Sequence, residues 1–277
     1  MLMLQLRLAA LAIGLHSRLP VGARLRAWAG AHPASIARCD RYLPLAGLVI
    51  SLLTAMTYAM FALVLPHSVA VLVAMTAGLM LSGTRDHAFL AASADSIGAA
   101  PANGSAGAPA IGARGVIALA MLLLLDYETL SSIDPSWIGV TLIGGGTFAR
   151  AVALMVATGR STASGGSPAG PPGTAAVIEA RDRRFDAWVA FVIGLAPVLA
   201  LAWWTAEWGL FVLAGALSFG CAAWFRHIHA NHLAARAEVG AAAIPAGSLR
   251  LVAQTAFMIG VLASLAVIDE AVADPAS

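Results

Sequence analysis

Asp86, His87 and Asp95 are the residues whose types and spacing best suit chemistry, and they follow an apolar run that ends at Gly83. Carboxylates and a histidine near a phosphate-bearing substrate typically hold Mg²⁺, which takes one or two carboxylates plus phosphate oxygens and water. One interpretation is that all three residues are catalytic and that Asp95 and Asp86 bind the metal. A solvated helix cap at a membrane exit is the simpler alternative, and the spacing alone leaves both interpretations open.

The residues between the two aspartates favour a helix. Asp86 and Asp95 are nine residues apart, which is about two and a half helical turns, so their carboxylates would point to roughly opposite faces. His87 and Asp95 are closer to a common face, because eight residues leave them about 80° apart. A single cleft would therefore suit His87 with Asp95 better than both carboxylates.

Arg150 is a charged residue inside an otherwise apolar run, residues 137–159. A buried arginine within a membrane span is costly unless it is paired or reaches the interface, and it is by default a functional hypothesis. The three glycines at 144–146 would let another helix approach closely. Both a structural role and a contact to an anion or phosphate fit this position.

Other polar groups fit simpler interpretations. The mixed charges at 179–186 are typical of a topology anchor beside a span. The histidines at 227–232 match no strong zinc signature. Cys39 and Cys221 are far apart in the sequence and match no metal spacing.

The high hydrophobic fraction and the low charged fraction of the chain indicate a membrane protein. Of the 277 residues, 60% are hydrophobic and 11% are charged, and the mean hydropathy is +0.85. A soluble domain would carry roughly 25% charged residues. The chain is therefore predicted to be an all-α, polytopic membrane bundle of one domain, with the lipid bilayer as its partner. A net charge of +2 gives no reason to expect nucleic acid, and an oligomer is possible.

Seven spans are predicted from the apolar runs. The first fifteen residues are apolar but too short to cross, so we interpret 1–41 as an N-terminal segment with an interfacial helix. The bundle then covers 42–268, and 269–277 is a short tail. The predicted spans are 42–65, 68–83, a poorly bounded one near 111–130, 137–159, 187–206, 208–225 and 251–268, with long loops at 84–113, 160–186 and 226–250.

The arginines indicate the orientation. All 16 basic residues are arginine, and 15 of them lie in or beside the N-terminal segment and the three long loops. The short segments at 126–136, 207 and 269–277 hold acidic residues and no arginine. The positive-inside rule then places the N-terminus and the long loops on the cytoplasmic side of the membrane and the C-terminus outside. We expect this membrane to be a bacterial inner membrane.

The order of these features resembles the cobalamin synthase family, the membrane-embedded adenosylcobinamide-GDP ribazoletransferases. Residues 17–21 read Ser-Arg-Leu-Pro-Val, like the family's Arg-x-Pro-Val signature, and 41–47 read Arg-Tyr-Leu-Pro-Leu-Ala-Gly, like its Arg-Tyr-Phe-Pro-Leu-Val-Gly. Residues 83–98 follow the register of its acidic signature, Gly-x-x-His-Glu-Asp-Gly-x-Ala-Asp-x-x-Asp-Gly-x-Gly. Residues 110–115 echo its Arg-Ile-Gly-Ala-x-Gly, and Arg150 matches an arginine of the next span.

The departures concern the acidic residues. Of the carboxylates in the family signature, Asp95 stays in place, while Asp86 and His87 replace its histidine and glutamate. Ala88 and Ala92 stand where the family has aspartates. The family's second and third loop signatures are replaced by a Gly/Pro-rich run and by the histidine segment.

The resemblance implies a transferase that joins adenosylcobinamide-GDP to α-ribazole or its phosphate, gives adenosylcobalamin or its phosphate, and releases GMP. It also implies Mg²⁺ as cofactor and substrate binding by Arg85, Arg150 and Arg18. Because the family's signatures occupy the first and third loops, the resemblance further implies that these two loops meet near the cytoplasmic end of the span that holds Arg150. The missing carboxylates leave a second hypothesis open, a non-catalytic relative that serves as a scaffold or binds corrinoid. A transporter is a third, although its broken helices around a midplane site are not evident here.

Overall fold

The computed structural model describes residues 2–19, 28, 38–96, 112–158, 174–235 and 246–273, and in this part of the chain the regular structure is entirely helical. The predicted all-α membrane bundle is confirmed. A 3₁₀ turn, Asp40–Tyr42, precedes the second helix. The helices are α1 (Leu2–His16), α2 (Leu43–Ala62), α3 (His67–Ser82), α4 (Arg85–Ser96), α5 (Ala113–Ser132), α6 (Pro135–Thr158), α7 (Thr174–Thr205), α8 (Trp208–Ala235) and α9 (Ala246–Ala273).

Six of the described helices are long and apolar enough to cross a membrane, and α3 with α4 adds a seventh if that bent pair is one span. The two helices meet at 91°. The bend is made at Gly83, whose φ is +78°. Residues other than glycine rarely adopt this backbone conformation. The predicted count of about seven spans therefore depends on a short, broken second span.

Helix α1 has 15 residues, which is too few to span. It packs against the start of α2, where the hydroxyl of Tyr42 donates a hydrogen bond of 2.5 Å to Gln5 Oε1. Leu11, Ala12 and Cys39 form a small buried cluster, against which Tyr42 packs. Helix α1 is thus attached to the start of α2 by both polar and apolar contacts.

Helix α6 is the centre of the bundle. Of its most apolar stretch, 72% is buried inside the protein, compared with 17% for α5. It packs against α2, α7 and α9. The small residues predicted to allow close approach do so, because Gly144 and Gly145 lie against the ring of Phe257 in α9. This position brings Arg150 into the protein core.

The loops are shorter than predicted. Helix α7 begins at Thr174, so residues 174–186 are helical where we predicted loop, and only the Gly/Pro-rich run before them lies outside the described residues. Helix α8 continues to Ala235, and α9 already begins at Ala246. Charged residues at span ends extend a helix into the interface without breaking it, and the sequence interpretation treated them as loop. The predicted hairpin at Glu207 is confirmed, since α7 ends at Thr205 and α8 begins at Trp208.

Candidate functional site

A cavity of about 470 Å³ lies among α2, α3, α5, α6 and α9. Most of its wall is apolar, but five ionisable side chains also line it: His87, Asp126, Tyr127, Arg150 and Arg250. A few polar groups in a mostly apolar pocket of this size are typical of small-molecule sites. The cavity is therefore the candidate site in the described part of the chain.

Arg150 is buried in the wall of this cavity, with 3% of its surface exposed. Its Nη1 donates a hydrogen bond of 2.6 Å to the carbonyl of Gly146, one turn earlier in α6. Gly47 of α2 makes the space for the side chain, because a Cβ at that position would lie 2.8 Å from Arg150 Cδ and 2.9 Å from Nη1. A guanidinium carries five N–H donors, so one hydrogen bond leaves capacity for a ligand in the cavity.

No carboxylate in the described residues lies within 4.0 Å of the Arg150 guanidinium. Arg150 therefore differs from Arg41, which is paired with Asp186 at 2.7 Å. A buried cation without an acidic partner is unfavourable in a membrane protein. An anion in the cavity would supply the missing partner.

Arg250 lies in the first turns of α9 and is also buried. Its Nε is 2.8 Å from Oδ2 of Asp86, at the start of α4. Gly247 lies against the same carboxylate, and a Cβ there would collide with it. The start of the predicted first loop thus touches the end of the predicted third loop. Both Arg250 and Arg150 line one cavity, so the expectation that these loops meet near Arg150 is confirmed.

Asp126 lies inside α5 and not beyond its end, which corrects our assignment of this residue to an outer turn. Its Oδ1 accepts a hydrogen bond of 2.6 Å from Thr255 of α9. Asp126 and Arg250 both lie in helix stretches that are long and apolar enough to cross a membrane, so Arg150 is not the sole charge in such a helix. In the sequence, the strongly apolar run ends just before Asp126. The helix nevertheless continues through Tyr127 to Ser132, and the mostly helix-favouring residues there were the signal for it.

His87 reaches the cavity from α4 and is 9% exposed. Its Nδ1 makes no hydrogen bond to the described residues. A buried ring nitrogen without a partner is an available donor or acceptor for a ligand. Of the three residues predicted to be catalytic, His87 is the one that lines the cavity.

A family model described as cobalamin-5-phosphate synthase matches residues 8–235. The chain belongs to the cobalamin-5-phosphate synthase family. Arg150, Asp126 and His87 lie inside the matched range, whereas Arg250 lies beyond it. Membership agrees with the resemblance drawn from residues 17–21, 41–47 and 83–98.

Named relatives of this family are similar to the chain at low identity. The adenosylcobinamide-GDP ribazoletransferase of Shewanella piezotolerans is 30% identical over 156 residues, which are 54% of this chain and 59% of that protein. The protein of the same name from Shewanella frigidimarina is also 30% identical, over 58% of its length. That of Ralstonia pickettii is 30% identical over 195 residues, 68% of this chain and 72% of the relative. The chain thus spans less than three fifths of the two Shewanella proteins, and no solved structure matches it.

Asp95, which keeps its place in the family's acidic signature, is held by backbone groups of α5. Its two carboxylate oxygens accept hydrogen bonds from the N–H groups of Gly112 at 2.6 Å and Gly115 at 2.7 Å. These N–H groups belong to the first turn of α5, where no carbonyl of the same helix can accept them. Asp95 therefore caps α5 from a neighbouring helix, and it does not line the cavity.

The arrangement of α4 does not support one Mg²⁺ held by both Asp86 and Asp95. The helix is continuous, so nine residues separate Asp86 and Asp95 by about 13.5 Å along its axis. A Mg²⁺ ion holds oxygen ligands at about 2.1 Å, and two aspartate side chains cannot reach one ion across that separation. One oxygen of Asp86 is also paired with Arg250. Metal ligation by Asp86 and Asp95 stays a prediction.

The two other arginines predicted to bind substrate lie outside the cavity wall. Arg85 is exposed, and its guanidinium carbon lies 5.5 Å from the centre of the Phe89 ring. Arg18 is also exposed, and its side chain packs against Gly83 at the bend between α3 and α4. Their roles toward a substrate of this family stay predictions.

Proposed function

We propose that this chain is a membrane-bound transferase that joins adenosylcobinamide-GDP to α-ribazole or its phosphate and releases GMP. The proposal rests on family membership together with one structural observation, the two buried arginines in the wall of one cavity. Arg150 lacks an acidic partner within ion-pair distance in the described residues, and Arg250 has one in Asp86. Together they offer a positively charged lining for a phosphorylated ligand.

The physical requirement of this reaction is neutralisation of charge on the transferred phosphoryl group. Arginine suits it, because its planar guanidinium binds two oxygens of a phosphate at once. Donors fixed in a water-poor site stabilise a transition state more strongly than donors in water. Arg150 is held by Gly146 and by the close approach of Gly47, so it needs little reorganisation when the ligand binds.

The reaction forms one bond to phosphorus and breaks another. The nucleoside hydroxyl oxygen forms a bond to the phosphorus next to the corrinoid, and the bond from that phosphorus to the bridging oxygen of GMP breaks. The hydroxyl proton passes to a base, for which Asp126 and His87 are the candidates in the cavity. A corrinoid ring is too large for a cavity of about 470 Å³. The cavity would therefore hold the phosphate end of the substrate.

A non-catalytic relative that binds corrinoid is the second candidate. The observation that favours it is the replacement of two signature aspartates by Ala88 and Ala92. Asp95 caps a helix and Asp86 is paired with Arg250. Both contacts also favour the non-catalytic relative, because they occupy the carboxylates that a metal would need. Fold and family alone do not decide between catalysis and binding.

The test is GMP release from adenosylcobinamide-GDP and α-ribazole by purified protein, with Mg²⁺ and with a chelator in parallel. We expect turnover by the unchanged protein, dependence on Mg²⁺ as the resemblance implies, and a loss of at least about 10²-fold in Arg150→Gln and Arg250→Gln. Arg184→Gln, at an exposed position, is the matched control and should retain activity. Binding of the GDP-corrinoid without any GMP release would replace the transferase proposal with the binding one.

A further inference from the structure

Three side chains with metal-binding atoms converge where the end of α1 meets the start of α2, and none of them lines the cavity. His16 is the last residue of α1, and Cys39 and Asp40 lie at the 3₁₀ turn before α2. One ligand atom from each residue lies within 4.8 Å of the other two. The His16 Nε2 to Asp40 Oδ1 distance is 3.7 Å. Sequence spacing alone did not indicate this group, since 22 residues separate His16 from Cys39.

The distances suit a tetrahedral ion. Zinc binds sulfur at about 2.3 Å, imidazole nitrogen at about 2.0–2.1 Å and carboxylate oxygen at about 2.0–2.2 Å, so its ligand atoms lie roughly 3.4–3.7 Å apart. The His16–Asp40 separation already falls at the upper end of that range. Their side chains are 35% and 50% exposed, so both can turn slightly toward a common centre. A thiolate and an imidazole select a transition metal over Mg²⁺ or Ca²⁺.

The surrounding contacts hold the two segments in this arrangement. The Tyr42–Gln5 hydrogen bond joins the 3₁₀ turn to the first turn of α1, and Leu11 and Ala12 pack with Cys39 in one cluster. Burial raises the pKa of the Cys39 thiol to about 11, so without a metal this side chain is a neutral thiol at neutral pH. Metal binding would release that proton.

We propose that His16, Cys39 and Asp40 bind one divalent transition-metal ion, with Zn²⁺ as the best match. Three protein ligands leave a fourth position for water or another oxygen donor. The ion would tie the end of α1 to the start of α2. It would also stabilise the contact two residues further on, where the N–H of Arg18 donates a hydrogen bond of 2.8 Å to the carbonyl of Leu81.

Cobalt provides the direct test, because a Co²⁺–thiolate bond absorbs in the near ultraviolet and a tetrahedral Co²⁺ site absorbs in the visible. Full-length protein is stripped with a chelator in detergent and titrated with Co²⁺, and then with Zn²⁺. We expect both absorptions to saturate at one equivalent and to disappear when Zn²⁺ displaces Co²⁺. Zn²⁺ at roughly a hundredfold above its Kd should raise Tm by about 5–10 °C.

The cysteines provide matched variants, because the chain has two. Cys39→Ser should abolish the near-ultraviolet band, whereas Cys221→Ser should keep it. The His16 side chain is 35% exposed, so the His16→Gln variant should fold. Because the variant lacks the imidazole ligand, it should bind Co²⁺ at least tenfold more weakly. A band that survives in Cys39→Ser, or no thiolate band in the unchanged protein, would overturn the proposal and would assign any remaining cobalt to other histidines.

Discussion

Arg250 Nε lies 2.8 Å from Asp86 Oδ2 and so joins the first turn of α9 to the first turn of α4. The guanidinium side chain is 7% exposed and the carboxylate side chain 28% exposed. The pair therefore fixes the start of α4 to the start of α9 beside the cavity. It also leaves Arg150 as the buried cation available to a ligand.

Breaking this pair from either side should destabilise the protein. Removal of one partner of a buried ion pair typically costs about 3–5 kcal/mol, and the partial exposure of Asp86 favours the lower end. We expect Asp86→Asn and Arg250→Gln each to lower the free energy of unfolding, and the double variant to lose less than the sum of the two. Unfolding in mixed detergent micelles measures this, with exposed Asp269→Asn as control. Strictly additive losses would contradict a direct interaction.

Gly47→Ala should reduce both stability and ligand binding. The added Cβ would lie 2.6 Å from the Gly146 carbonyl and within 3 Å of Arg150, so either α2 or the guanidinium must move. Gly220→Ala is the matched control, because nothing lies within 4 Å of a Cβ there and alanine is favoured over glycine in a helix by about 1 kcal/mol. The measurements are Tm and the Kd of the GDP-corrinoid. A Gly47→Ala variant with the properties of Gly220→Ala would contradict the packing described for Arg150.

Asp95→Ala should lower Tm in the absence of any metal or substrate, because two N–H groups of α5 lose their acceptor. Loss of a helix cap typically costs about 0.5–2 kcal/mol, and a charged acceptor is at the upper end. Gly115→Ala should act similarly, since its Cβ would collide with the same carboxylate. If Asp95→Ala instead keeps full stability and loses only Mg²⁺-dependent turnover, the residue is a metal ligand and not a cap.

Thr255→Val should impair turnover more than stability. Valine has the shape of threonine but cannot donate the hydrogen bond that orients Asp126 in the cavity. We expect kcat to fall about tenfold or more with a smaller change in KM, as is typical of a positioning residue. Thr57→Val is the control, because that hydroxyl bonds to the Leu53 carbonyl in its own helix. Equal kinetics in the two variants would remove Asp126 from the proposed chemistry.

The orientation predicted from the arginines is tested at the C-terminus. Alkaline phosphatase fused after Ser277 is active only outside the cytoplasm, and a fluorescent protein there folds only inside. Seven crossings with the N-terminus in the cytoplasm predict an active phosphatase and a dark fluorescent fusion. A bright fluorescent fusion would mean an even number of crossings, as when α3 and α4 form a re-entrant pair and not a span.

The sequence was sufficient for the class of fold, because long apolar runs in lipid have no other solution than helices. It was also sufficient for Arg150, since an arginine in an apolar run is conspicuous. It was not sufficient for Arg250 and Asp126, which looked like boundary residues at span ends. Their importance depends on how α5 and α9 pack, and no local pattern reports the register between two helices distant in the chain. The pairing of His16 with Cys39 and Asp40 was missed for the same reason.

The contact between Gly47 and Arg150 has a consequence for how the protein enters the membrane. An arginine near the middle of a helix costs about 2.5–3.5 kcal/mol when that helix moves from the translocation channel into lipid. Helix α2, which supplies Gly47 and covers the guanidinium, is synthesised before α6. The earlier helix is therefore already in the bilayer when Arg150 emerges. Without α2, the guanidinium of Arg150 would meet lipid on the side that Gly47 now covers.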